Sequence, residues 1–405
     1  MSKYYLIGKK LPHSYSAKIH IDRGYDYELK EIAENDLGVF VKSGEYAGLN
    51  VTVPYKETVI RFLDDIDPSA AKIGAVNTVV KENGKLVGYN TDILGMRFAF
   101  DAAEIDVRGR NVLLLGSGGT SKTARTLCEK LGAKSISVVG RNREINYDNC
   151  YLKCGDAETV INCTPVGAFP FDAETPIDLR KFTNLKAAYD CTYNPARTEF
   201  VLQATAMGAV CDNGLKMLVA QAYESEKLWT GKEYSSEDVL VGANKIYRDT
   251  MNVALVGMPG AGKTSASKVL GRLCGREVID TDETIKRRYG ISAEDIIDRY
   301  GESYFREIES NVLDEACARR GVIIATGGGT VLREENRKNL KRNCIVVWIR
   351  RDLSALPING RPLNRKFTAE ELYDARKSLY EGVSDYSVEN DGTIDECAEK
   401  IGHLL

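Results

Sequence analysis

Two glycine-rich turns constrain this chain more than any other feature. One is NVLLLGSGGTSKTA at 111–124 and the other MNVALVGMPGAGKTSAS at 251–267. Each follows a short, almost wholly apolar run, at 112–115 and 253–256. Such runs suit strands buried on both faces of a parallel sheet. A helical pattern follows each turn. Strand, glycine turn and helix open a nucleotide-binding βαβ unit. Two well-separated starts therefore predict an α/β chain with two nucleotide sites. At 405 residues the chain has room for two or three domains.

The region before Asn111 holds strand-like pieces at 4–8 and 49–53 and a helix candidate near 33–42, which predicts a separate α/β lobe over 1–100. A Rossmann-like dinucleotide domain is expected at 101–230. The charged and polar stretch 231–250 reads as a linker, and 251–405 as a P-loop domain with a parallel sheet. A content of 43% hydrophobic and 28% charged residues is enough for real cores. The net charge of -3 gives no reason to expect nucleic acid or an anionic membrane, so small molecules are the expected partners. Ten cysteines without a CxxC pair point to reduced thiols in a cytoplasmic protein rather than to a disulfide scaffold or a zinc site. The start, MSKYYLIGKK, lacks the apolar stretch of a signal peptide. No apolar run approaches the roughly 20 residues of a membrane helix.

In the C-terminal half, GMPGAGKT at 257–264 fits GxxxxGK[ST]. Its glycines let backbone N–H groups turn inward around phosphate oxygens. Gly260, Ala261, Gly262, Lys263, Thr264 and Ser265 form the expected cradle for ATP. Lys263 can reach the β- and γ-phosphates, and the Thr264 hydroxyl can ligate Mg²⁺. Downstream, VIDTD at 278–282 reads as a strand ending in two carboxylates. Alternation places Asp280 and Asp282 on one side of that strand. One can serve the metal while the other orients or deprotonates a hydroxyl. GESYFREIE follows at 301–309, then VIIATGGG at 322–329, whose glycines allow close backbone approach to a small ligand. Arg361 in RPL and Arg376 in RKSLY come last. Arginine suits a planar carboxylate, which it can grip with two hydrogen bonds.

The ordered set of P-loop, DxD, FRxxE, GGG, RPL and RxxxY resembles shikimate kinase over about 251–405. The resemblance implies that Lys263 and Thr264 hold phosphate and Mg²⁺ and that Asp280 lies near the metal. It implies that Asp282 binds the substrate hydroxyls and is the candidate base. Arg306, Gly328 and Arg376 are then expected at shikimate, with Arg361 closing from a lid onto the phosphates. The segment between Trp348 and Arg361 is shorter than usual for the family.

In the N-terminal half, Gly116, Ser117, Gly118, Gly119 and Thr120 depart from GxGxxG but can still open a helix whose N-terminus receives a pyrophosphate. The next strand, at 135–139, ends in Gly140-Arg141-Asn142-Arg143. An NAD site usually has an acidic residue there for the ribose 2′-hydroxyl. Arg141 favours a 2′-phosphate, hence NADP(H). The preceding lobe supplies chemistry. Ser14 and Ser16 are two hydroxyls spaced to reach one small polar ligand. LNVTVPYK at 49–56 is a strand stopped by proline, with Lys56 just beyond. GAVNT at 74–78 and GYNTD at 88–92 follow. A lysine near an aspartate can polarise a carbonyl and exchange a proton while a cofactor moves hydride.

These blocks resemble shikimate dehydrogenase over about 1–247, with NVTxPxK and GxNTD as the specific pair. Further matches are NCTPVG at 162–167, DCTYNP at 190–195 and DNGLKMLVAQ at 212–221. The resemblance implies Lys56 and Asp92 as the catalytic pair. It implies Ser14, Ser16, Thr52, Asn77, Tyr193 and Gln221 around the substrate, and Cys191 and Gly214 beside the nicotinamide. Helices from 214–240 are expected to return to the first lobe. Ala17, Ile21 and Gly140 depart from the family pattern, and the short run from Arg143 to Asn162 predicts a reduced cofactor sheet. Together the two resemblances imply a bifunctional enzyme that reduces 3-dehydroshikimate with NADPH and then phosphorylates shikimate with MgATP. Quinate, which differs at one ring carbon, is an alternative substrate. A ligand-binding sensor without turnover is the alternative of another class.

Overall fold

The computed structural model describes residues 3–11, 14–356 and 368–405. The chain divides into two compact units, Met1–Ile246 and Tyr247–Leu405.

The first unit contains two sheets. Strands β1 (Tyr4–Gly8), β2 (Tyr27–Glu31), β3 (Gly48–Val51), β4 (Asp65–Ile66), β5 (Thr78–Glu82) and β6 (Lys85–Tyr89) form a mixed sheet of order β2-β1-β3-β5-β6-β4. Its core is built on Ile7, Leu49, Val51 and Val79 together with the buried Tyr46 and Tyr55. The edge strand β2 carries charged, exposed residues after Tyr27, which blunts its free edge. The second sheet comprises β7 (Asn111–Leu115), β8 (Ser135–Val139), β9 (Thr159–Asn162), β10 (Ala187–Asp190) and β11 (Val210–Asn213). It is wholly parallel with order β11-β10-β9-β7-β8. That doubly wound order leaves a crevice at the carboxyl ends of the strands, where the direction of winding reverses beside β7. Between β8 and β9 stands only the one-turn helix Cys150–Lys153, and β8 is left at the sheet edge.

Helix Leu215–Thr230 carries the chain back from the second sheet to the first. Trp229 Nε1 donates to the Val79 carbonyl at 3.1 Å. Gly48 makes room for it, since a Cβ there would lie 2.3 Å from the indole nitrogen. The stretch expected as a linker is ordered differently. Residues Ser236–Thr250 form a helix, and the division between units falls inside it. Val239, Ala243 and Ile246 are buried at i, i+4 and i+7, an apolar stripe that the surrounding charges mask in composition.

The second unit is built on β12 (Asn252–Val256), β13 (Val278–Asp280), β14 (Ile323–Ala325), β15 (Cys344–Arg350) and β16 (Tyr386–Glu389), all parallel, in the order β13-β14-β12-β15-β16. The central β12 is buried along its whole length, as its unbroken apolar run requires. The DxD segment departs from strand alternation. The Asp280 side chain accepts the Glu283 backbone N–H at 3.0 Å and caps helix Thr281–Tyr289. A capping carboxylate ends the strand, so Asp282 lies in the first helical turn. Among the described residues no helix is long and apolar enough to cross a membrane.

Candidate active sites

In the first unit, the carboxyl end of β3, the start of helix Asp92–Ala102 and the returning helix Leu215–Thr230 converge on a cavity of about 540 Å³. Lys56 Nζ donates to Asp92 Oδ2 at 2.6 Å. The other carboxylate oxygen, Oδ1, accepts from Asn77 Nδ2 at 2.9 Å. Asn77 Nδ2 also faces Gln221 Oε1 at 3.3 Å, and its Oδ1 accepts the Thr91 backbone N–H at 2.7 Å. That second bond sets the amide so that its donor end points at Asp92. Ser14 and Ser16 stand with their hydroxyl oxygens 3.2 Å apart. Tyr193 meets Ser14, and burial pushes its phenol up to about 12, so it is a donor at neutral pH. Ser14, Ser16, Thr52, Lys56, Asn77, Asp92, Tyr193 and Gln221 all line this one cavity. So do Thr120, Cys191 and Gly214.

The glycine turn reaches the same place. Gly116 has φ +98°, and a Cβ there would lie 2.9 Å from Thr164 Cγ2. Gly118 faces open space, and helix Gly119–Lys130 begins against the stem of Lys56, 3.7 Å from a Cβ built on Gly119. A bare helix N-terminus with room above it fits a pyrophosphate. At the end of β8, Gly140 lies beside Ser117 and Arg143, and Arg141 is exposed. This end of the sheet therefore presents cations next to the turn, as a 2′-phosphate requires. Cys191 and Cys163 follow adjacent strands with their sulfurs 4.0 Å apart; that contact and burial hold the Cys191 thiol well above its ordinary range. Gly214 packs on the Cys191 carbonyl so closely that a Cβ would lie 2.2 Å from it.

In the second unit, a cavity of about 680 Å³ opens over the carboxyl ends of the strands. Gly257, Gly260 and Gly262 of the P-loop have φ +145°, +85° and +102°. Gly260, Gly262, Lys263, Thr264 and Ser265 line the cavity, and Ala261 is buried beneath them. Lys263 Nζ donates to the carbonyls of Gly257 and Met258 at 2.8 and 3.0 Å. Thr264 Oγ1 donates to Asp280 Oδ2 at 2.6 Å. A backbone cradle with a lysine, plus a hydroxyl beside a carboxylate, fits a nucleotide polyphosphate and Mg²⁺, which is commonly held by one or two carboxylates together with substrate phosphates.

Opposite the P-loop, Asp282 faces the cavity. Desolvation, with Glu309 and Asp280 nearby, pushes its carboxyl up to about 6. Arg306 donates to Glu309 at 2.8 Å and to Glu302 at 3.0 Å. Thr330 Oγ1 holds the other Glu309 oxygen at 2.7 Å. The three glycines after β14 are needed for space. Side chains there would strike Glu309 at 2.4 Å from Gly327, Pro259 at 2.6 Å from Gly328 and the Arg306 guanidinium at 2.4 Å from Gly329. Arg376 donates to the Gly328 carbonyl at 3.1 Å. Asp282, Arg306, Gly328 and Arg376 thus share one cavity with the P-loop. Arg361 lies outside the described residues.

Three further residues carry structure here; Glu309 and Asn50 stand inside the FRxxE and NVTxPxK motifs, and Asn390 lies outside every motif. Glu309 anchors Arg306 and the glycine turn, and its i, i+3 spacing from Arg306 was a legible hint. Asn50, two residues before Thr52, lines the first cavity and joins Tyr27, Thr78 and Ser225. Asn390 donates to the Ala261 carbonyl at 2.8 Å and has no local sequence signal.

Fold and sites define a dinucleotide oxidoreductase followed by a P-loop phosphotransferase. A family model described as shikimate dehydrogenase substrate binding domain matches residues 6–79, and one described as shikimate kinase matches 259–405. A shikimate dehydrogenase (NADP(+)) from Caldicellulosiruptor saccharolyticus is 38% identical over 266 residues, covering 56% of this chain and 92% of that protein. A crystal structure of shikimate dehydrogenase 1 from Peptoclostridium difficile aligns with a TM-score of 0.56 at 35% identity, covering 61% of this chain and 98% of that one. A Thermus thermophilus shikimate 5-dehydrogenase in complex with NADP(H) and shikimate aligns with a TM-score of 0.54 at 29% identity, covering 60% of this chain and 99% of that one. The chain belongs to the shikimate dehydrogenase family and carries a shikimate kinase domain at its C-terminus, a bifunctional shikimate-pathway enzyme.

Proposed function

We propose that the first unit reduces 3-dehydroshikimate to shikimate with NADPH and that the second phosphorylates the 3-hydroxyl of shikimate with MgATP. The observation that carries this reading is that each unit brings a reactive pair to the mouth of a nucleotide turn: Lys56 with Asp92, and Asp282 with Lys263.

When bound, NADPH supplies a hydride and MgATP a phosphoryl group. In the first unit Lys56 hydrogen-bonds the substrate's carbonyl oxygen and, with Asp92, delivers the proton that this oxygen gains. Asn77 and Gln221 hold the ring hydroxyls. Ser14, Ser16 and Tyr193 take the carboxylate, and Thr52 closes the substrate pocket. Ser117, Thr120 and the Gly116–Gly119 turn hold the pyrophosphate, Arg141 the 2′-phosphate, and Cys191 and Gly214 flank the nicotinamide. In the second unit Asp282 accepts the proton of the attacking hydroxyl. Arg306 and Arg376 grip the carboxylate beside Gly328. Lys263 and the P-loop amides hold the phosphates, and Thr264 and Asp280 hold Mg²⁺.

A coupled assay tests the reading. The purified chain, given 3-dehydroshikimate, NADPH and MgATP, should consume NADPH and form ADP in sequence. Loss of neither reagent from a folded sample would sink it. Comparing kcat/KM for shikimate and quinate in the reverse oxidation fixes the preferred ring acid.

A further inference from the structure

The RxxxY motif ends in a tyrosine to which neither reaction gives a role. Tyr380 is fully buried on helix Ala369–Val383, one turn beyond Arg376, so the two side chains share a face. Its ring stacks on Trp348, with centroids 5.7 Å apart and planes at 22°. Its hydroxyl donates to the Gly328 carbonyl at 2.5 Å, and Arg376 Nη1 donates to that same oxygen at 3.1 Å. Gly328 in turn lies against Pro259 of the P-loop, and its neighbour Gly329 lies against the Arg306 guanidinium. One carbonyl thus joins a substrate arginine, the glycine turn and the helix that carries Arg376. Burial pushes the Tyr380 phenol up to about 12, so the hydroxyl keeps its proton at working pH.

We infer that Tyr380 is a positioning residue of the kinase site: its hydroxyl fixes the Gly328 carbonyl and thereby aims Arg376 at the carboxylate of the acceptor. The inference rests on the kinase reading above. With the carbonyl pinned from the helix side, Arg376, which lines the cavity, is held by a backbone partner that Tyr380 holds as well. Without the hydroxyl, Gly328 loses its shorter bond and Arg376 gains freedom that must be lost again on binding.

The test uses the full chain. Tyr380→Phe removes a single oxygen. It should raise KM for shikimate about five- to tenfold, the loss of roughly one hydrogen bond's worth of order. Both kcat and KM for ATP should stay within about twofold. Wild type should prefer shikimate over its neutral carboxamide, and Tyr380→Phe should erode that preference. Added to Arg376→Ala, Tyr380→Phe should cost nothing more, because its effect passes through the arginine. Independent, multiplying effects overturn the inference, as does a fall in kcat at constant KM. A variant that no longer binds MgATP also overturns it, since the hydroxyl would then serve the fold alone. Wild-type chain that phosphorylates no shikimate overturns the kinase reading itself, whereas an active wild type with an unaltered variant overturns only the role of Tyr380.

Discussion

Lys56 Nζ and Asp92 Oδ2 meet at 2.6 Å across 36 residues of chain. The lysine leaves the turn after β3 and the aspartate opens helix Asp92–Ala102, so the contact depends on how that helix docks. The Asn77 amide holds the second aspartate oxygen, which leaves the first free to face the lysine.

Lys56→Met should therefore lower kcat for 3-dehydroshikimate reduction by ~10²–10⁴, the usual worth of a positioned acid–base group. Kinase activity of the same chain should not change. Separate assays of the two steps check this, and a parallel loss of both activities would refute independent sites.

Asp282 should impose an acid limb on the kinase. With the carboxyl pushed up to about 6, the ionised base is lost as pH falls through that value. Below it, kcat/KM should drop roughly tenfold per pH unit. Asp282→Asn should lower kcat by ~10² or more and abolish the limb. The linkage sign is the opposite of that for a salt-bridged acid. A folded value above the unfolded one means that ionising Asp282 costs stability as pH rises from about 4 through 6. Asp282→Asn should thus melt no lower than wild type at pH 8.

Arg141 should decide between cofactors. Arg141→Ala should raise KM for NADP(H) roughly ten- to hundredfold, as expected for loss of a charge-assisted contact to phosphate. The KM for NAD(H) should move little. Steady-state kinetics with both nucleotides separate the outcomes, and equal changes would assign Arg141 to the solvated surface.

Gly329→Ala should weaken shikimate binding by the kinase. The added methyl would sit 2.4 Å from the Arg306 guanidinium and push it off its carboxylate partners Glu309 and Glu302. Displacing it should raise KM for shikimate at least about tenfold, given the strength of arginine–carboxylate pairs, and should also lower the melting temperature, because it breaks the pair with buried Glu309. A large loss of stability with normal kinetics in the remaining folded fraction would contradict this view.

Several elements were legible from local pattern. The strands at 4–8 and 135–139 stand as the sequence reads them, and both glycine turns sit between a buried strand and a helix. Where the reading missed, a local competitor won. Asp280 capped a helix and ended its strand, which moved Asp282 off the expected face. The charge of 231–250 hid the spacing of Val239, Ala243 and Ile246.

The sequence by itself determined the chemical parts: a phosphate cradle, a second glycine turn with cations after the next strand, and the lysines, carboxylates and arginines of two resemblances. Such features depend on a few adjacent residues and the backbone geometry they allow. Only the tertiary structure decided the pairings. Asn77 meets Gln221 from 144 residues away, and Arg376 and Tyr380 converge on Gly328 from about 50. Those distances are set by strand order and by which helix faces pack together, and no local period encodes either.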